Sequence, residues 1–243
     1  MPTYNDSGIV LNSYNLQEAD KILNIYTKEN GLVRAVGKGL RKSTGRFGGK
    51  IDQLSCCYFQ FARGKNLDVI SDCEQINSFP RLRSDLIRLT YAILFVEIVS
   101  NFAHEKESES TYIYDLLYSG LNELQTIQEP DLFSVKFILN FLSIHGYKPQ
   151  LETCVSCSLE INRGNIFYPY STALGGLLCN QCADSIVNKS LSLNVLKILS
   201  MADKQSSNCR TSEDIRFALD LLKEHVDIRA KNKIKSFDLV FAL

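Results

Sequence analysis

ADKILNIYTKENGLVRAVGKG, residues 19–39, consists of two short apolar runs joined by the pair Asn30-Gly31. Both runs contain β-branched residues, which favour extended strands, and an Asn-Gly pair between two such runs is a strong signal of a β-hairpin. Similar runs cover residues 8–14, 56–64 and 66–74, and glycine, asparagine or aspartate separates several of them. The sequence therefore predicts five short strands within about the first 80 residues.

Five short strands in a segment of this length favour a small closed β-barrel. The OB-fold is the commonest architecture of this kind, although the number of strands does not separate it from an SH3-like barrel. We therefore interpret residues 1–80 as a barrel domain, with the OB-fold as the favoured type.

From Pro80 onward the apolar residues recur every three or four positions, which is the pattern of amphipathic helices. A first long helix is predicted from the spacing of Leu82, Leu86, Leu89, Ile93, Val96 and Val99. Further helices are predicted at residues 110–127, 129–149, 192–202 and 211–230. The helix at 129–149 should stop at Gly146 and Pro149, and the last should be capped by Thr211 or Ser212. The fold class is thus α+β and multidomain, with a helical domain at residues 81–243.

A cysteine-rich insert interrupts the helical part. It reads CVSCSLEINRGNIFYPYSTALGGLLCNQC, residues 154–182, and contains two Cys-x-x-Cys knuckles with 21 residues between them. Four thiolates at this spacing suit a tetrahedral Zn²⁺ site that leaves no position for water. The sequence therefore predicts a zinc module at about residues 150–187, with one structural Zn²⁺ per chain held by Cys154, Cys157, Cys179 and Cys182. A strand at 165–172 and a tight reversal at Gly175-Gly176 are predicted between the knuckles.

No other cysteine or histidine forms a recognisable site. The deaminase pattern of His-x-Glu upstream of a cysteine knuckle is absent, which argues against a catalytic zinc. The three histidines, His104, His145 and His225, occur singly and are interpreted as surface or helix-end residues. Cys56, Cys57, Cys73 and Cys209 receive no role, although Cys56 and Cys57 are neighbours on a strand, so that at least one should face the barrel core.

A basic stretch follows the predicted hairpin. Residues 31–50 contain six cationic side chains, no acidic one and six glycines. The cations are Arg34, Lys38, Arg41, Lys42, Arg46 and Lys50. A pliable loop of one charge on a barrel can follow the phosphates of a nucleic acid, so we predict that these residues bind DNA. Tyr58, Phe59, Phe61 and Phe47 are the candidate stacking partners, and the alternative is a solvated loop with aromatic residues that fill the barrel.

A second basic run lies near the C-terminus, at Arg229, Lys231, Lys233 and Lys235. A second phosphate contact and a solvated helix end are both compatible with it, and the helix end is the favoured interpretation.

Overall composition sets few limits on the partner. The chain has 243 residues, and 27 lysines and arginines balance 27 aspartates and glutamates, so the net charge is zero. The N-terminal residues do not resemble a secretory signal, and the longest apolar run contains Glu97 and is too short to span a bilayer. We therefore expect a cytoplasmic protein with no membrane contact.

Several of these features together resemble the RecO family of bacterial recombination mediators. HGYKP precedes the first knuckle with Gly146 and Pro149, and the pair Gly175-Gly176 precedes the second. Lys235, Ser236 and Phe237 match a Lys-Ser pair that the family carries near its C-terminus. The N-terminal pattern of the family is matched by Gly8, Glu18, Asp20, Gly31, Gly37 and Gly39. The resemblance covers nearly the whole chain.

The resemblance implies an OB-fold followed by a helical domain with a zinc module. It implies a non-enzymatic protein that binds single- and double-stranded DNA and anneals complementary strands. It also implies partnership with RecR, contact with the acidic tail of single-strand DNA-binding protein, and help in loading the recombinase on protein-coated strands. The corresponding location is the bacterial cytoplasm, associated with the nucleoid.

Two other functions remain open at this point. The first is a protein-interaction module with a structural zinc and no nucleic-acid binding, which would not need six cations of one sign in one loop. The second is a zinc hydrolase, which the closed four-thiolate pattern disfavours.

Overall fold

The computed structural model describes residues 2–16, 18–41, 47, 50–162, 164–186, 189–200 and 211–243. The chain forms two compact units, Met1–Ile127 with Ile234–Leu243, and Gln128–Lys233. The domains predicted from the sequence, 1–80 and 81–243, divide the chain elsewhere. That division stays a prediction, because compactness does not measure which segments fold independently.

The N-terminal strands form a closed barrel in the first unit. They are β1 Thr3–Leu16, β2 Asp20–Thr27, β3 Gly31–Gly37, β4 Cys56–Ala62 and β5 Asp68–Asn77, in the order β1-β2-β3-β5-β4. Strand β1 also pairs with β4 and so closes the barrel, and β3 pairs in parallel with β5. A five-stranded Greek-key barrel is the OB architecture, so the five strands and the fold class predicted from the sequence are confirmed.

Alternating side chains of the strands fill the barrel. The core cluster consists of Val10, Leu23, Ile25, Val33, Ala35, Phe47, Ile51, Cys57, Phe59, Phe61 and Ile70. On β4, Cys57, Phe59 and Phe61 face inward, as expected for a period of two. The neighbouring Cys56 is buried as well, with its Sγ 3.3 Å from the hydroxyl of Tyr114.

The β2–β3 hairpin forms at Asn30-Gly31, as the sequence predicts. Residues 28–30 make the turn, and Gly31 opens β3 with a φ of 65°, in the region that favours glycine. A Cβ at this position would lie 2.7 Å from the backbone oxygen of His104. The buried carboxylate of Asp6 accepts hydrogen bonds from the backbone N–H groups of Glu29 and Asn30. The turn is therefore held by one carboxylate and by a residue without a side chain.

The single long helix predicted from residue 80 is wrong, because the chain forms two helices there. They are α1 Pro80–Ser84 and α2 Leu86–Phe102. Asp85 between them has extended backbone angles, and its side chain accepts a hydrogen bond from the N–H of Arg88 to start a new helix. Leu86, predicted to face the core, is 72% exposed, whereas α2 is buried on most of its circumference further along.

The rest of the first unit consists of α3 Ser110–Leu124, which confirms the predicted helix, and α8 Ser236–Phe241. Helix α8 packs on α2. The carboxylate of Glu97 accepts hydrogen bonds from the backbone N–H groups of Lys235, at 3.0 Å, and Ser236, at 2.8 Å. A negative charge at a helix N-terminus is stabilising, so Glu97 anchors the C-terminal segment that carries the Lys-Ser pair.

Replacing Glu97 with alanine should lower the free energy of unfolding by about 1–3 kcal/mol, because two backbone donors lose a charged acceptor. Urea denaturation measures the change. Glu123→Ala, which removes an exposed carboxylate of α3, is the matched control and should cost less than about 0.5 kcal/mol. Equal stability of the two variants would mean that Glu97 does not anchor α8.

The second unit contains the helices α4 Pro130–Ile144, α6 Leu193–Ser200 and α7 Ser212–Asp227. Helix α4 ends two residues before Gly146, and the N–H groups of Gly146 and Tyr147 donate to the backbone oxygens of Ser143 and Leu142 in its last turn. Thr211 caps α7 through a reciprocal pair of hydrogen bonds with Asp214. The three predicted helices are confirmed. Among the described residues, no helix is long and apolar enough to cross a bilayer.

Candidate metal centre and nucleic-acid interface

The first knuckle is a tight turn in the second unit. The N–H of Cys154 donates to the oxygen of Leu159 at 2.7 Å, and the N–H of Ser158 donates back to Cys154 at 2.8 Å. Thr153 and Glu160 form a β-bridge just outside this turn. The turn brings Cys154 and Cys157 to the same side of the backbone.

The second knuckle lies between the second and third strands, in chain order, of a small three-stranded sheet. Its strands are β6 Phe167–Ser171, β7 Gly176–Leu177 and β8 Lys189–Ser192, in the order β7-β6-β8. The predicted strand at 165–172 and the predicted reversal at Gly175-Gly176 are thereby confirmed. A Cβ on Gly176 would lie 2.4 Å from a methyl of Val155 and 2.6 Å from the oxygen of Gln150, so this position needs glycine. Cys179 then precedes the short helix α5 Asn180–Ala183, which contains Cys182.

The two knuckles bring four sulfur atoms together. The Sγ atoms of Cys154, Cys157, Cys179 and Cys182 all lie within 4.8 Å of one another, and those of Cys157 and Cys179 are 3.7 Å apart. A tetrahedral zinc with Zn–S bonds of about 2.3 Å places its sulfurs roughly 3.8 Å apart. The four cysteines predicted from the sequence therefore form one cluster with the size and the donor set of a metal site.

Backbone donors favour the thiolate form of one member of the cluster, Cys154. Burial raises the pKa of the Cys154 thiol, but hydrogen bonds from the backbone of Cys179, Cys157 and Ser156 outweigh burial and lower that pKa to about 6. A thiolate is the form that binds metal. The residues present thus fit a metal ion.

A buried histidine connects three elements of the second unit. His225, in the last turn of α7, is 0% exposed. Its Nε2 donates to the backbone oxygen of Tyr147 at 2.8 Å, so its Nδ1 accepts from the hydroxyl of Tyr170 at 2.9 Å. The pKa of His225 is lowered to about 4, mainly by burial and in part by the Arg229 guanidinium, and the hydrogen bond to Tyr147 opposes this shift.

Of the three histidines, the sequence placed His225 correctly at a helix end, but it did not predict its burial. A signal was present, because Leu222 and Val226 flank His225 at helical spacing on the apolar face of α7. His145 is the C-cap of α4, and His104 is exposed, as predicted.

Arg229 has a structural position in the second unit. Its guanidinium donates to the backbone oxygens of His225, at 2.7 Å, and Thr172, at 3.4 Å. These bonds tie the end of α7 to the loop before Gly175. Lys231, Lys233 and Lys235 are exposed. The favoured interpretation of this run as a helix end agrees with the position of Arg229.

In the first unit, the predicted DNA-binding residues that the structure describes lie on β3 and on either side of the segment 42–46. Arg34 projects from the outer face of β3, and Lys38, Arg41 and Lys50 are exposed beyond it. Lys42 and Arg46 lie outside the described residues. The N–H of Gly39 donates to Asp20, and that of Arg41 donates to the oxygen of Ala19, so the start of the loop is attached to the neighbouring strand connection.

Three of the four aromatic stacking candidates are unavailable. Phe47, Phe59 and Phe61 belong to the barrel core and are at most 5% exposed. Tyr58 alternates with them on β4 and is 46% exposed. The prediction that Phe47, Phe59 and Phe61 stack on bases is therefore wrong. Their rings fill the interior of the barrel, as the alternative interpretation has it.

Other cations near Arg34 were missed by the sequence analysis. Arg34 lines a cavity of about 330 Å³ together with Arg63, Lys65 and Lys106. These residues are far apart in the sequence, so they do not form a basic run that sequence analysis could detect. The parallel pairing of β3 with β5 places the loop before β5 next to β3.

Comparison with protein families and known proteins covers both parts of the chain. The family model described as Recombination protein O N terminal matches residues 1–79, and that described as Recombination protein O C terminal matches residues 83–237. The chain is 32% identical, over 251 aligned positions, to the DNA repair protein RecO of Symbiobacterium thermophilum, covering 100% of this chain and 98% of the relative.

Two further relatives carry the same name. The DNA repair protein RecO of Thermobifida fusca is 28% identical over 244 positions, covering 99% of each chain. That of Rubrobacter xylanophilus is 35% identical over 184 positions, covering 75% of this chain and 72% of the relative. With two family models and full-length relatives in agreement, this chain belongs to the RecO family of DNA repair proteins.

Proposed function

We propose that this protein is a non-enzymatic mediator of DNA recombination and repair. It binds single- and double-stranded DNA, anneals complementary strands and helps to load the recombinase on protein-coated single strands. The observation that supports this most directly is the exposed basic face of an OB barrel, formed by Arg34, Lys38 and Arg41, in a member of the RecO family.

The proposed protein partners are RecR and the acidic tail of single-strand DNA-binding protein, and the proposed location is the cytoplasm, in association with the nucleoid. Membership in the family supports these proposals.

We further propose that the four-cysteine cluster holds one Zn²⁺ per chain. Zinc, when bound, supplies a closed four-thiolate centre that stabilises the fold and leaves no open position for catalysis. Cys154, Cys157, Cys179 and Cys182 are its ligands. The hydrogen bond from the N–H of Val155 to the oxygen of Leu177 attaches the first knuckle to β7, so the cluster stiffens the small sheet.

The salt dependence of DNA binding tests the proposed function. Each phosphate contact with a single strand adds roughly −0.7 to the slope of log affinity against log salt, so three or four contacts predict a slope of about −2 to −3. The triple variant Arg41→Ala/Lys42→Ala/Arg46→Ala should weaken binding about 25- to 100-fold at about 0.1 M salt and flatten the slope. The loss of affinity should be the same for all DNA sequences, because contacts with phosphates do not distinguish one base from another.

The matched control is Arg81→Ala/Lys136→Ala/Lys148→Ala, which removes three exposed cations elsewhere. It should retain the affinity and slope of the parent in fluorescence anisotropy. If the loop variant binds as tightly as the parent with an unchanged slope, the loop is not the DNA site. The protein-interaction module without nucleic-acid binding would then gain support.

A further inference from the structure

We propose that the cavity beside Arg34 binds one phosphate group of a single-stranded nucleic acid, as a second contact beyond the glycine-rich loop. This inference rests on the proposed DNA-binding function and extends it to residues outside the basic run. The cavity, of about 330 Å³, lies in the first unit between the β2–β3 turn, the loop at residues 63–67 and the segment Glu105–Lys106.

The charge of the cavity is positive. Its lining contains four cations, Arg34, Arg63, Lys65 and Lys106, and two carboxylates, Asp68 and Glu105, which leaves a net charge of 4 − 2 = +2. Asp68 is already engaged, because one of its oxygens accepts from the hydroxyl of Tyr4 at 2.6 Å and the other from the N–H of Gly64 at 3.0 Å. These bonds hold Asp68 in place but leave its negative charge, so the excess of cations over carboxylates in the lining is what attracts an anion.

The loop that carries two of the cations is held in place. The N–H of Arg63 donates to the oxygen of Pro2 at 3.0 Å, and its guanidinium lies over the ring of Tyr4, 4.9 Å from the centroid. Asp68 fixes the following turn through Gly64. Because these donors are positioned before a ligand arrives, binding an anion costs little conformational entropy.

The opposite wall is held in the same way. The N–H of Lys106 donates to the oxygen of Asn30 at 2.9 Å, and the N–H of Leu32 donates to the oxygen of His104 at 3.0 Å. The segment that contains Lys106 is thus bonded to the β2–β3 hairpin. Both walls are backbone-anchored, and the side chains of Lys65 and Lys106 are exposed at the rim.

The chemistry of the lining favours phosphate. Guanidinium groups match the geometry of phosphate oxygens, and the cavity volume lies at the lower end of the range for small-ligand sites, which suits a single nucleotide unit. OB-folds bind oligonucleotides on strands 2 and 3 and on the loop between strands 4 and 5, and here that loop contains Arg63 and Lys65. Arg34 on β3 and Lys38 just after the end of that strand are four residues apart, or about 13 Å along extended backbone, so one nucleic-acid strand can contact the cavity and the glycine-rich loop together.

The double variant Arg63→Gln/Lys65→Gln tests this inference. Loss of the one phosphate contact should weaken single-strand binding about fivefold at about 0.1 M salt and reduce the magnitude of the slope by about 0.7. Lys65→Gln alone, on an exposed loop, should weaken binding measurably but by no more than about fivefold, even if the change at Arg63 disturbs the loop. Lys136→Gln/Lys148→Gln removes two exposed cations from the second unit and should bind like the parent.

Three forms of one strand distinguish the source of the phosphate. A circular strand, a linear strand with a 5′-hydroxyl and a linear strand with a 5′-phosphate are each titrated by fluorescence anisotropy. An equal loss on all three supports a backbone phosphate, and a loss confined to the 5′-phosphorylated strand supports a terminal one. If both loop variants bind all three as the parent does, the cavity is not a phosphate site. If the parent binds none of them, the proposed function itself fails.

Discussion

The double variant Cys179→Ser/Cys182→Ser is expected to lose its zinc, from about one ion per chain to nearly none. Two thiolates alone do not complete a tetrahedral site, and the sulfurs of Cys154 and Cys157 then lack their partners across the cluster. Metal analysis of the purified protein measures this directly. Cys73→Ser, a change at a partly exposed cysteine of the barrel, is the control and should retain the ion.

The same variant should be less stable. Zinc binding contributes about 10 kcal/mol in small zinc peptides, where it accounts for most of the folding free energy. In this chain α4, α6 and α7 supply a core of their own, so a smaller share should be lost. A loss of about 3 kcal/mol would lower the melting temperature by roughly 6–12 °C in a protein of this size.

Removal of the metal should separate stability from DNA binding. The cysteines lie in the second compact unit, and the basic residues Arg34, Lys38 and Arg41 lie in the first. Chelation should therefore lower the melting temperature while part of the DNA affinity survives. Zinc retained by the double variant would refute the ligand assignment, and an unchanged melting curve after complete zinc removal would refute the stabilising role.

The second large effect is expected at His225. His225→Ala leaves the hydroxyl of Tyr170 and the backbone oxygen of Tyr147 buried without their partner, and it opens a cavity below α7. Each unsatisfied buried group costs about 1–3 kcal/mol, so we expect a loss of about 3 kcal/mol or more in the free energy of unfolding. The control is His104→Ala, at an exposed histidine, which should cost less than about 0.5 kcal/mol.

Acid should weaken the parent protein through the same side chain. The pKa of His225 is lowered from 6.5 to about 4 in the folded chain, so between these values the unfolded chain binds more protons. The free energy of unfolding therefore rises with pH in this window. The contribution of His225 is fully present above about pH 6.5, and it is lost as the pH falls toward 4. The contribution of this one group is about 3 kcal/mol.

Urea denaturation of the parent and of His225→Ala at several values between pH 4 and 7 measures this contribution. The parent should lose more stability than the variant on acidification, because the variant lacks the titrating group. Parallel pH profiles for the two proteins would show that His225 does not cause the acid sensitivity.

Local patterns were sufficient to predict the strands and the four-cysteine cluster. Asn30-Gly31 specifies a turn through backbone preferences alone, and the flanking runs alternate with the period of a strand. The knuckles are equally local, because two residues between cysteines already orient both sulfurs toward one point. The capping of α7 depends on hydrogen bonds between Thr211 and Asp214, which are only three positions apart. In all these cases the determining interactions lie within a few positions of the chain.

Burial of single side chains was decided by tertiary structure. A helical period predicts one apolar face, but α2 is covered on most sides by α1, α3, α8 and β1, whereas Leu86 at its start is exposed. Phe47 lies in the basic stretch and still fills the barrel, because barrel closure leaves an interior that distant residues must occupy. Neither outcome follows from a period along the chain.

The sequence by itself determined the five-stranded barrel, the positions of most helices and which four cysteines form one cluster, since turn chemistry, periodicity and spacing are short-range properties. Only the tertiary structure decided that His225 bonds Tyr147 and Tyr170, and that Arg34, Arg63, Lys65 and Lys106 share one cavity. The physical reason is that strand pairing and helix packing join residues many positions apart, and a linear pattern carries no record of those contacts.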